Sequence, residues 1–458
     1  MSLGVAILAA GQGTRMRSRL PKVLHPLAGR PLLAHVLDAA HALGAEQVCV
    51  VFGHGGEAVP QALASADCTW VEQAEQHGTG HALMQAMPWL AEVDRVLVLY
   101  GDVPLIDPTT LRRLLEAAEH TELGLLTVRL EHPSGYGRIL RDADGRVVRI
   151  VEEKDATPEE RLIREINTGF LVGQRARLAD WLGRIGRDNA QGEYYLTDVI
   201  ALAVQDGVEV ASAQPASREE VAGINDRIQL AALERHYQRR QAEALMRAGV
   251  SLADPARFDL RGRLTAGPDV SIDINVLIEG EVHLADGVSI GPNCVLRDCA
   301  IGPETQVFAN CVIEGAVIGA GARVGPFSRL RPEAELADGV HVGNFVEIKK
   351  SQVGHGSKVN HLSYVGDSVI GRGVNVGAGT ITCNYDGANK HRTVIGDGAF
   401  IGSNTALVAP VEVGAGATIG AGSVITRPAP ADKLTLARGR QVTIEDWERP
   451  KKQPKATE

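Results

Sequence analysis

The stretch "IGPNCVLRDCAIGPETQVFANCVI", residues 290–313, places an aliphatic residue at positions 290, 296, 301, 307 and 313. A helix repeats every 3.6 residues and a half-buried strand every two, so a spacing of six, sometimes five, fits neither. It fits a parallel β-helix, in which each hexapeptide supplies one short strand and one corner and three make a coil. The same spacing extends backwards to Leu284, Ile278 and Ile272. It extends forwards through Ile318, Val324, Leu330, Leu336, Val342, Ile348, Val353, Val359, Val365, Ile370 and Val376, and resumes at Ile395, Ile401, Leu407, Val413 and Ile419. Glycine often follows the aliphatic residue, as in "VGHGSK" and "IGAGSV", and small residues recur four places on, as a narrow interior requires. Counted from about residue 272, the repeats make roughly nine coils, a prism about 40 Å long at the ~4.8 Å strand spacing. "CNYDGANKHR", residues 383–392, interrupts the pattern and must leave it as a loop; such insertions collect on one face, often the binding face.

Upstream the chain has another character. "VAILAA", "QVCVVFG" and "RVLVLYGD" have the pattern of strands, and "LLAHVLDAAHALG" and "GHALMQAMPWL" of helices. This alternation predicts an α/β domain with a largely parallel sheet and ligands at the carboxyl ends of its strands. "DRIQLAALERHYQRRQAEALMRA", residues 226–248, holds no Gly or Pro and ends before Gly249, a natural helix stop. The expected organisation is therefore an α/β domain over 1–225, a linker helix over 226–249, and a β-helix with a C-terminal tail over 250–458.

Composition narrows the class. The 458 residues allow two to four domains. The six cysteines form no C-x-x-C pair, which argues against structural zinc and disulfides and for a reducing compartment. A net charge of −9 argues against a general nucleic-acid binder. No apolar run approaches the ~18 residues of a membrane span, and the N-terminus lacks the parts of a secretory signal. A soluble cytoplasmic protein is expected.

The first strand opens into "LAAGQGTRMRSRLPK", residues 8–22. A dinucleotide fingerprint needs a third glycine where Met16 stands, and a P-loop needs Lys-Ser/Thr where Thr14 and Arg15 stand. What remains is a glycine turn able to wrap phosphate with backbone N–H groups, and two cations, Arg15 and Lys22.

That loop resembles the signature of sugar-1-phosphate nucleotidyltransferases. Together with "EQHGTGHA", "LYGDVPL", "GYGRI", "INTGF", "NAQGEYYLTD" and "GINDRIQL", it resembles the first half of the bifunctional N-acetylglucosamine-1-phosphate uridyltransferase/glucosamine-1-phosphate acetyltransferase family. "SRLRP", "GNFVEIKK", "HLSYVGDSVIG", "VGAGTITCNYDGANK" and "IGSNTALVAPV" resemble its second half. The resemblance implies a Rossmann-like α/β nucleotidyltransferase domain joined by a long helix to a left-handed parallel β-helix. It implies glucosamine 1-phosphate, N-acetylglucosamine 1-phosphate, UTP and acetyl-CoA as substrates, Mg²⁺ as cofactor, and a homotrimer.

By the same resemblance, Arg15 and Lys22 neutralise phosphate and Asp102 with Asn225 holds Mg²⁺. Leu8, Ala9, Ala10, Gly11, Gln73, Gly78 and Thr79 hold the nucleotide, and Tyr100 and Gly101 line the pocket. Gly137, Glu152 and Asn167 contact the amino sugar; Glu153 stands beside Glu152 and leaves that choice open. Gln12 stands where the family often has Lys, which removes one charge from the phosphate site.

In the second half, acetyl transfer needs a base, a polarised carbonyl and a phosphate anchor. His361, two places past the repeat residue Val359, is the expected base. Arg331 and Lys349 are expected to anchor the sugar phosphate, and Tyr364, Asn375, Asn384 and Tyr385 to position sugar and amine. The resemblance implies that the Ala378 backbone N–H serves the oxyanion and that Ser403, Ala421 and Arg438 contact coenzyme A, with Arg440 an equally charged alternative to Arg438. A rival is a monofunctional nucleotidyltransferase whose β-helix only oligomerises or regulates; another is a degenerate scaffold. The His361, Tyr364, Asn384 and Tyr385 set separates the first rival from a working acetyltransferase, and the intact "GQGTRM", "YGD" and "GIN" segments count against the second.

Overall fold

Leu3–Leu8 is apolar on both faces, as a strand covered by two layers must be. Val5 and Ile7 join one apolar cluster with helix Leu32–His41, while Ala6 and Leu8 join another with helix Thr79–Ala86. These elements belong to the first of two units, Met1–Arg240 and Gln241–Glu458, in a computed structural model that describes residues 2–53 and 55–451. Residues 452–458 of the expected tail lie outside the described residues.

The first unit is built on a nine-stranded sheet. Its main path runs Val210–Ala213, Leu123–Arg129, Glu165–Gln174, Arg95–Tyr100, Leu3–Leu8, Gln47–Phe52, Thr69–Glu72. Leu3–Leu8 is parallel to both neighbours, and Leu8 pairs with Val51 and Tyr100. The segments after Leu8, Phe52 and Tyr100 therefore leave the sheet at one edge, where ligands of such sheets gather. Glu165–Gln174 is antiparallel to its neighbours, which brings Asn167, near its start, to that same edge. Strand Arg95–Tyr100 stops two residues before Asp102, so that carboxylate stands in the turn beyond the strand instead of at its last position.

Helix Arg227–Arg247 carries the unit boundary. Leu233 packs in a cluster with Met16, Leu27, Leu32, Leu105 and Ile224, whereas Ala242 belongs to the core of the second unit.

The second unit is the β-helix. Ile272 pairs in parallel with Ile290, which pairs with Val307, and the ladder continues through Val324, Val342, Val359 and Val376. All the repeat aliphatics from Ile272 to Ile419 are buried in one continuous core. Buried hydroxyls inside the prism bond to backbone carbonyls, as Ser357 does to Gly371 at 2.7 Å and Thr405 to Gly402 at 2.6 Å. Val376 finds its next partner in Ile401, because the coil between them releases the loop that follows Ile381–Cys383.

One face stacks eleven strands, from Ser251–Leu252 to Leu434–Thr435, more than the expected nine coils. The extra coils lack the full run of large aliphatics at that spacing, as Ala266 stands between Leu260 and Ile272. The first is built on the long strand Phe258–Ala266, and the last follows the insertion "RPAPADK". Ten steps of ~4.8 Å give a stack about 48 Å long. Among the described residues, no helix is long and apolar enough to cross a membrane.

Candidate active sites

The glycine turn of the first unit turns at Gly13, with φ 59°. A Cβ there would stand 2.6 Å from Lys22 Cβ, so only glycine lets the lysine lie against the loop. The turn walls a cavity of about 460 Å³ at the sheet edge, lined by Leu8, Ala9, Ala10, Gly11, Gln12, Lys22, Gln73, Gly78, Thr79, Tyr100 and Asp102. Gly101 packs beneath it: a Cβ would lie 3.0 Å from that of Ala9.

Lys22 Nζ lies 2.5 Å from Asp102 Oδ2 and 3.4 Å from Asn225 Oδ1. Ile224 N donates to the Asp102 carbonyl at 2.9 Å, which ties the Asn225 segment to the turn after Tyr100. A carboxylate and an amide oxygen thus converge on one cationic point. That donor set suits a hard divalent cation that takes one or two protein oxygens and fills its shell with water and phosphate. Among the described residues, no three of His, Cys, Asp and Glu gather into a richer metal site.

The sugar-side residues form a second group. A Cβ on Gly137 would touch Glu152 Oε1 at 3.3 Å, and Asn167 N donates to the Gly137 carbonyl at 2.8 Å. Glu152 accepts from Thr197 Oγ1 at 3.0 Å, and burial pushes its carboxyl above the ordinary range. Glu153 instead pairs with the buried Arg138 at 2.6 Å, which holds its carboxyl low. Glu152 is therefore the glutamate left for the site. The Tyr100 phenol, which lines the same cavity as Asp102, is pushed above its ordinary range by burial first and then by the charges of Glu152 and Asp102.

Arg15 is not brought to the cavity. It is exposed on the turn Thr14–Met16, whose only buried residue is Met16. Residues missed from the sequence are Glu193, on the cavity wall, and Gln76, whose Nε2 donates to the Ala10 carbonyl at 2.7 Å and steadies the loop. Both stand within quoted motifs, but nothing in their spacing marks them.

On the β-helix, successive corners stack. Asn344 is in register with His361, and Gly379 N donates to the His361 carbonyl at 3.2 Å. Asn404 N donates to Ala378 O at 2.7 Å, Gly422 N to Ser403 O at 2.8 Å, and Arg438 Nη1 to Ala421 O at 2.9 Å. His361, Ala378, Ser403, Ala421 and Arg438 thus follow one column, each about one coil from the last. Glycines allow the approach: a Cβ on Gly377 would stand 2.6 Å from Ser403 N, and one on Gly402 2.5 Å from Ala421 N. His361 is exposed, and its Nδ1 lies 3.1 Å from Asn344 Oδ1. An amide oxygen only accepts, so in the neutral ring this contact favours the proton on Nδ1 and the lone pair on Nε2.

A polar cluster sits on a neighbouring face. Lys349 lies 3.5 Å from Asp367, which also accepts from the Asn384 amide, and Arg331 pairs with Glu347 at 2.9 Å. Gly366 leaves room for the Tyr364 ring and the Asn384 amide. Tyr385 is exposed on the inserted loop, its hydroxyl donating to Gly387 O at 2.6 Å. Asn375 stands apart from this cluster, on the rung between Lys358 and Phe400. Asn344, Asp367 and Lys390 were not foreseen. The Lys390 ammonium is pushed below its usual range by the adjoining Lys349 charge, so two cations gather where an anion would relieve both.

Comparison with known proteins agrees with both halves. A MobA-like NTP transferase domain matches residues 5–179, a GMPPB C-terminal domain residues 260–342, and the bacterial transferase hexapeptide (six repeats) residues 392–427. The bifunctional protein GlmU of Methylococcus capsulatus is 62% identical over 99% of this chain and 98% of its own. That of Azoarcus sp. is 59% identical over 98% of this chain and 99% of its own. Among solved structures, an apo-UDP-glucose pyrophosphorylase matches over 53% of this chain and 100% of its own, at 15% identity with a TM-score of 0.45. The relatives match both units at high identity, so the β-helix is no mere oligomerisation module. The chain belongs to the GlmU family of bifunctional enzymes, acetyltransferase and uridyltransferase in one polypeptide.

Proposed function

We propose that the chain first acetylates glucosamine 1-phosphate on its β-helix and then joins the product to UMP at the α/β unit, giving UDP-N-acetylglucosamine. The observation that carries this is the corner column. It places the lone-pair nitrogen of His361 at one end and the Arg438 guanidinium at the other, about four coil steps or ~19 Å along. Such a column suits an extended thioester carrier with its acyl end at a base and its anionic end at a cation.

In acetyl transfer, the sugar amine attacks the thioester carbonyl carbon and His361 Nε2 takes a proton from it. The Ala378 backbone N–H faces the developing oxyanion, and the C–S bond breaks to release the coenzyme A thiolate. Arg331 and Lys349, with Lys390, hold the sugar phosphate. Tyr364, Asn375, Asn384 and Tyr385 orient the sugar and its amine, and Ser403, Ala421 and Arg438 hold the carrier.

In uridylyl transfer, a phosphate oxygen of N-acetylglucosamine 1-phosphate attacks the α-phosphorus of UTP and pyrophosphate leaves. Both partners are anions, so positioning and charge neutralisation carry the rate. Gln73 and Gly78 hold the base, the turn from Leu8 to Gly11 wraps the phosphates, and Gly137, Glu152 and Asn167 hold the sugar. Lys22 moves from Asp102 to phosphate as the site fills, and Arg15 reaches phosphate only at its rim. Asp102 and Asn225 would hold Mg²⁺, which supplies charge neutralisation at the phosphates.

The oligomer is read as a homotrimer of the second unit. Phe327 and Phe345, stacked at 5.4 Å, continue with Leu362 and Ile381 as an exposed apolar stripe suited to other copies of the prism. The cytoplasm supplies both UTP and acetyl-CoA and is the proposed location.

The order of steps is tested by supplying glucosamine 1-phosphate, UTP and Mg²⁺ with and without acetyl-CoA. The scheme expects UDP-N-acetylglucosamine only with acetyl-CoA; rapid formation of UDP-glucosamine without it overturns the order.

A further inference from the structure

Gln73, just past strand Thr69–Glu72, is only 3% exposed yet reaches the wall of the first cavity. Its Nε2 donates to the Gly78 carbonyl at 3.2 Å and lies 2.9 Å from His81 Nδ1. A carbonyl only accepts, so the Gly78 contact fixes which end of the amide is nitrogen. The second N–H then points at His81 Nδ1, which must be a bare acceptor with its proton on Nε2. With both N–H groups committed, Gln73 has Oε1 left for the cavity. That oxygen is not among the buried polar atoms sealed without a partner.

His81 is itself held in place. Its ring meets His77 edge-on at 5.2 Å and stacks with Tyr194, over which Arg187 lies at 5.6 Å. The Gln85 amide nitrogen lies 3.3 Å from His81 Nε2 and 3.5 Å from the His81 carbonyl; with the amide turned over, that long carbonyl contact is given up and its oxygen accepts the Nε2 proton.

We propose that His81 sets the base preference of uridylyl transfer, by fixing the Gln73 amide as a pure acceptor towards position 3 of the pyrimidine. The proposal rests on the placement of the base at Gln73 given above. Uracil offers an N3–H to that acceptor. Cytosine carries a bare N3 there, and two lone pairs meet. A buried polar mismatch of this kind is how a site rejects a near-isosteric substrate.

The arrangement depends on a neutral ring. Burial first, then the His77 and Arg187 charges, hold His81 below the ordinary imidazole range, while Glu75 acts the other way. A protonated His81 carries N–H on both nitrogens. The Gln73 amide must then turn its oxygen to the ring and its NH₂ to the base, giving up the Gly78 bond. Selection for uracil weakens as pH falls and is full where the ring is neutral.

The test is kcat/KM for UTP and for CTP, with N-acetylglucosamine 1-phosphate and Mg²⁺, from about pH 5.5 to 8. It uses full-length wild type, His81→Phe, His81→Asn and Gln73→Leu, each checked for folding of the first unit by circular dichroism and thermal unfolding. The UTP/CTP ratio should fall about tenfold in His81→Phe, the worth of one hydrogen bond. His81→Asn, which restores an acceptor near the place of Nδ1, should keep the ratio within about threefold of wild type. The wild-type ratio should fall towards acid, and that of His81→Phe should be flat. A normal ratio in His81→Phe beside a collapsed one in Gln73→Leu overturns the role of His81 alone. A normal ratio in Gln73→Leu overturns the base placement beneath it. If His81→Phe does not fold, His81→Leu takes its place, and a normal ratio there beside a collapsed one in Gln73→Leu overturns the proposal.

Discussion

The Lys22 ammonium stands 2.5 Å from the Asp102 carboxylate and within 3.4 Å of Asn225 Oδ1, so one lysine closes the pair proposed to hold the metal. Asp102→Ala removes the charged ligand and frees Lys22. Uridylyl transfer should drop by about 10²–10³-fold or more, as when a preorganised charge is lost. Acetyl transfer should stay within about twofold, since its site is built on the coils of the second unit. Pyrophosphate release and thiol release, measured on one preparation, check both; parallel loss in a folded protein contradicts the two-site scheme.

Gly13→Ala tests the loop. The residue has φ 59°, and the new methyl would lie 2.6 Å from Lys22 Cβ. Left-handed strain costs about 1 kcal/mol, and the displaced lysine should lower uridylyl turnover about tenfold or more. Gly11→Ala is the control, because a Cβ there meets nothing within 4 Å. It should fold normally, and equal effects on lysine position in the two variants would count against the packing explanation.

Glu152→Gln separates stability from function. Burial raises the folded carboxyl above its ordinary value, so the ionised group costs stability at neutral pH. That cost is relieved as pH falls through the raised value. The variant keeps the acceptor for Thr197 and loses the charge. Its melting temperature at pH 7 should rise by about 1–2 °C, with the advantage shrinking towards acid, while KM for N-acetylglucosamine 1-phosphate rises. Calorimetry across pH with the matching kinetics checks this; a lower melting temperature contradicts it.

Much of this was legible in the residues, and the reason differs by region. The β-helix follows from one spacing rule, because each repeat aliphatic from Ile272 to Ile419 must face the same narrow interior. The first and last coils escaped, since the small Ala266 interrupts the run of large aliphatics from Leu260 to Ile272, and the insertion after Ile425 breaks the spacing at the other end. In the first site, backbone-bound positions such as Gly11 and Gly78 came with the loop motifs. The choice of Glu152 over Glu153 needed the Arg138 partner, which is distant in sequence. Asn344 and Asp367 stood inside quoted motifs, but only the coil register sets them against His361 and Asn384.

Ile419→Asp tests the prism. Ile419 is fully buried and pairs with Ile401, so an unpaired carboxylate there costs on the order of several kcal/mol or is driven to protonate. Thermal unfolding should show an early transition, and acetyl transfer should fail well before uridylyl transfer. A variant as stable and active as wild type contradicts the inward register.

Asn344→Ala tests the tautomer of His361. Losing the Oδ1 partner frees the ring to turn and to carry its proton on either nitrogen. Acetyl turnover should fall about tenfold, less than the ~10²–10⁴-fold of His361→Ala. The loss should lie in kcat with little change in KM for acetyl-CoA, because the rest of the column is untouched. A change in KM alone would assign Asn344 to binding.

Two independent sites on one chain are tested most directly by following products from glucosamine 1-phosphate, acetyl-CoA, UTP and Mg²⁺ with Asp102→Ala, His361→Ala and their mixture. Asp102→Ala should release coenzyme A and accumulate N-acetylglucosamine 1-phosphate. His361→Ala should release almost none, yet make the nucleotide sugar at the wild-type rate when given N-acetylglucosamine 1-phosphate directly. The mixture should restore UDP-N-acetylglucosamine from the first substrates. Loss of both activities in either folded variant, or a mixture that stays silent, would contradict the assignment of the two reactions to these two sites.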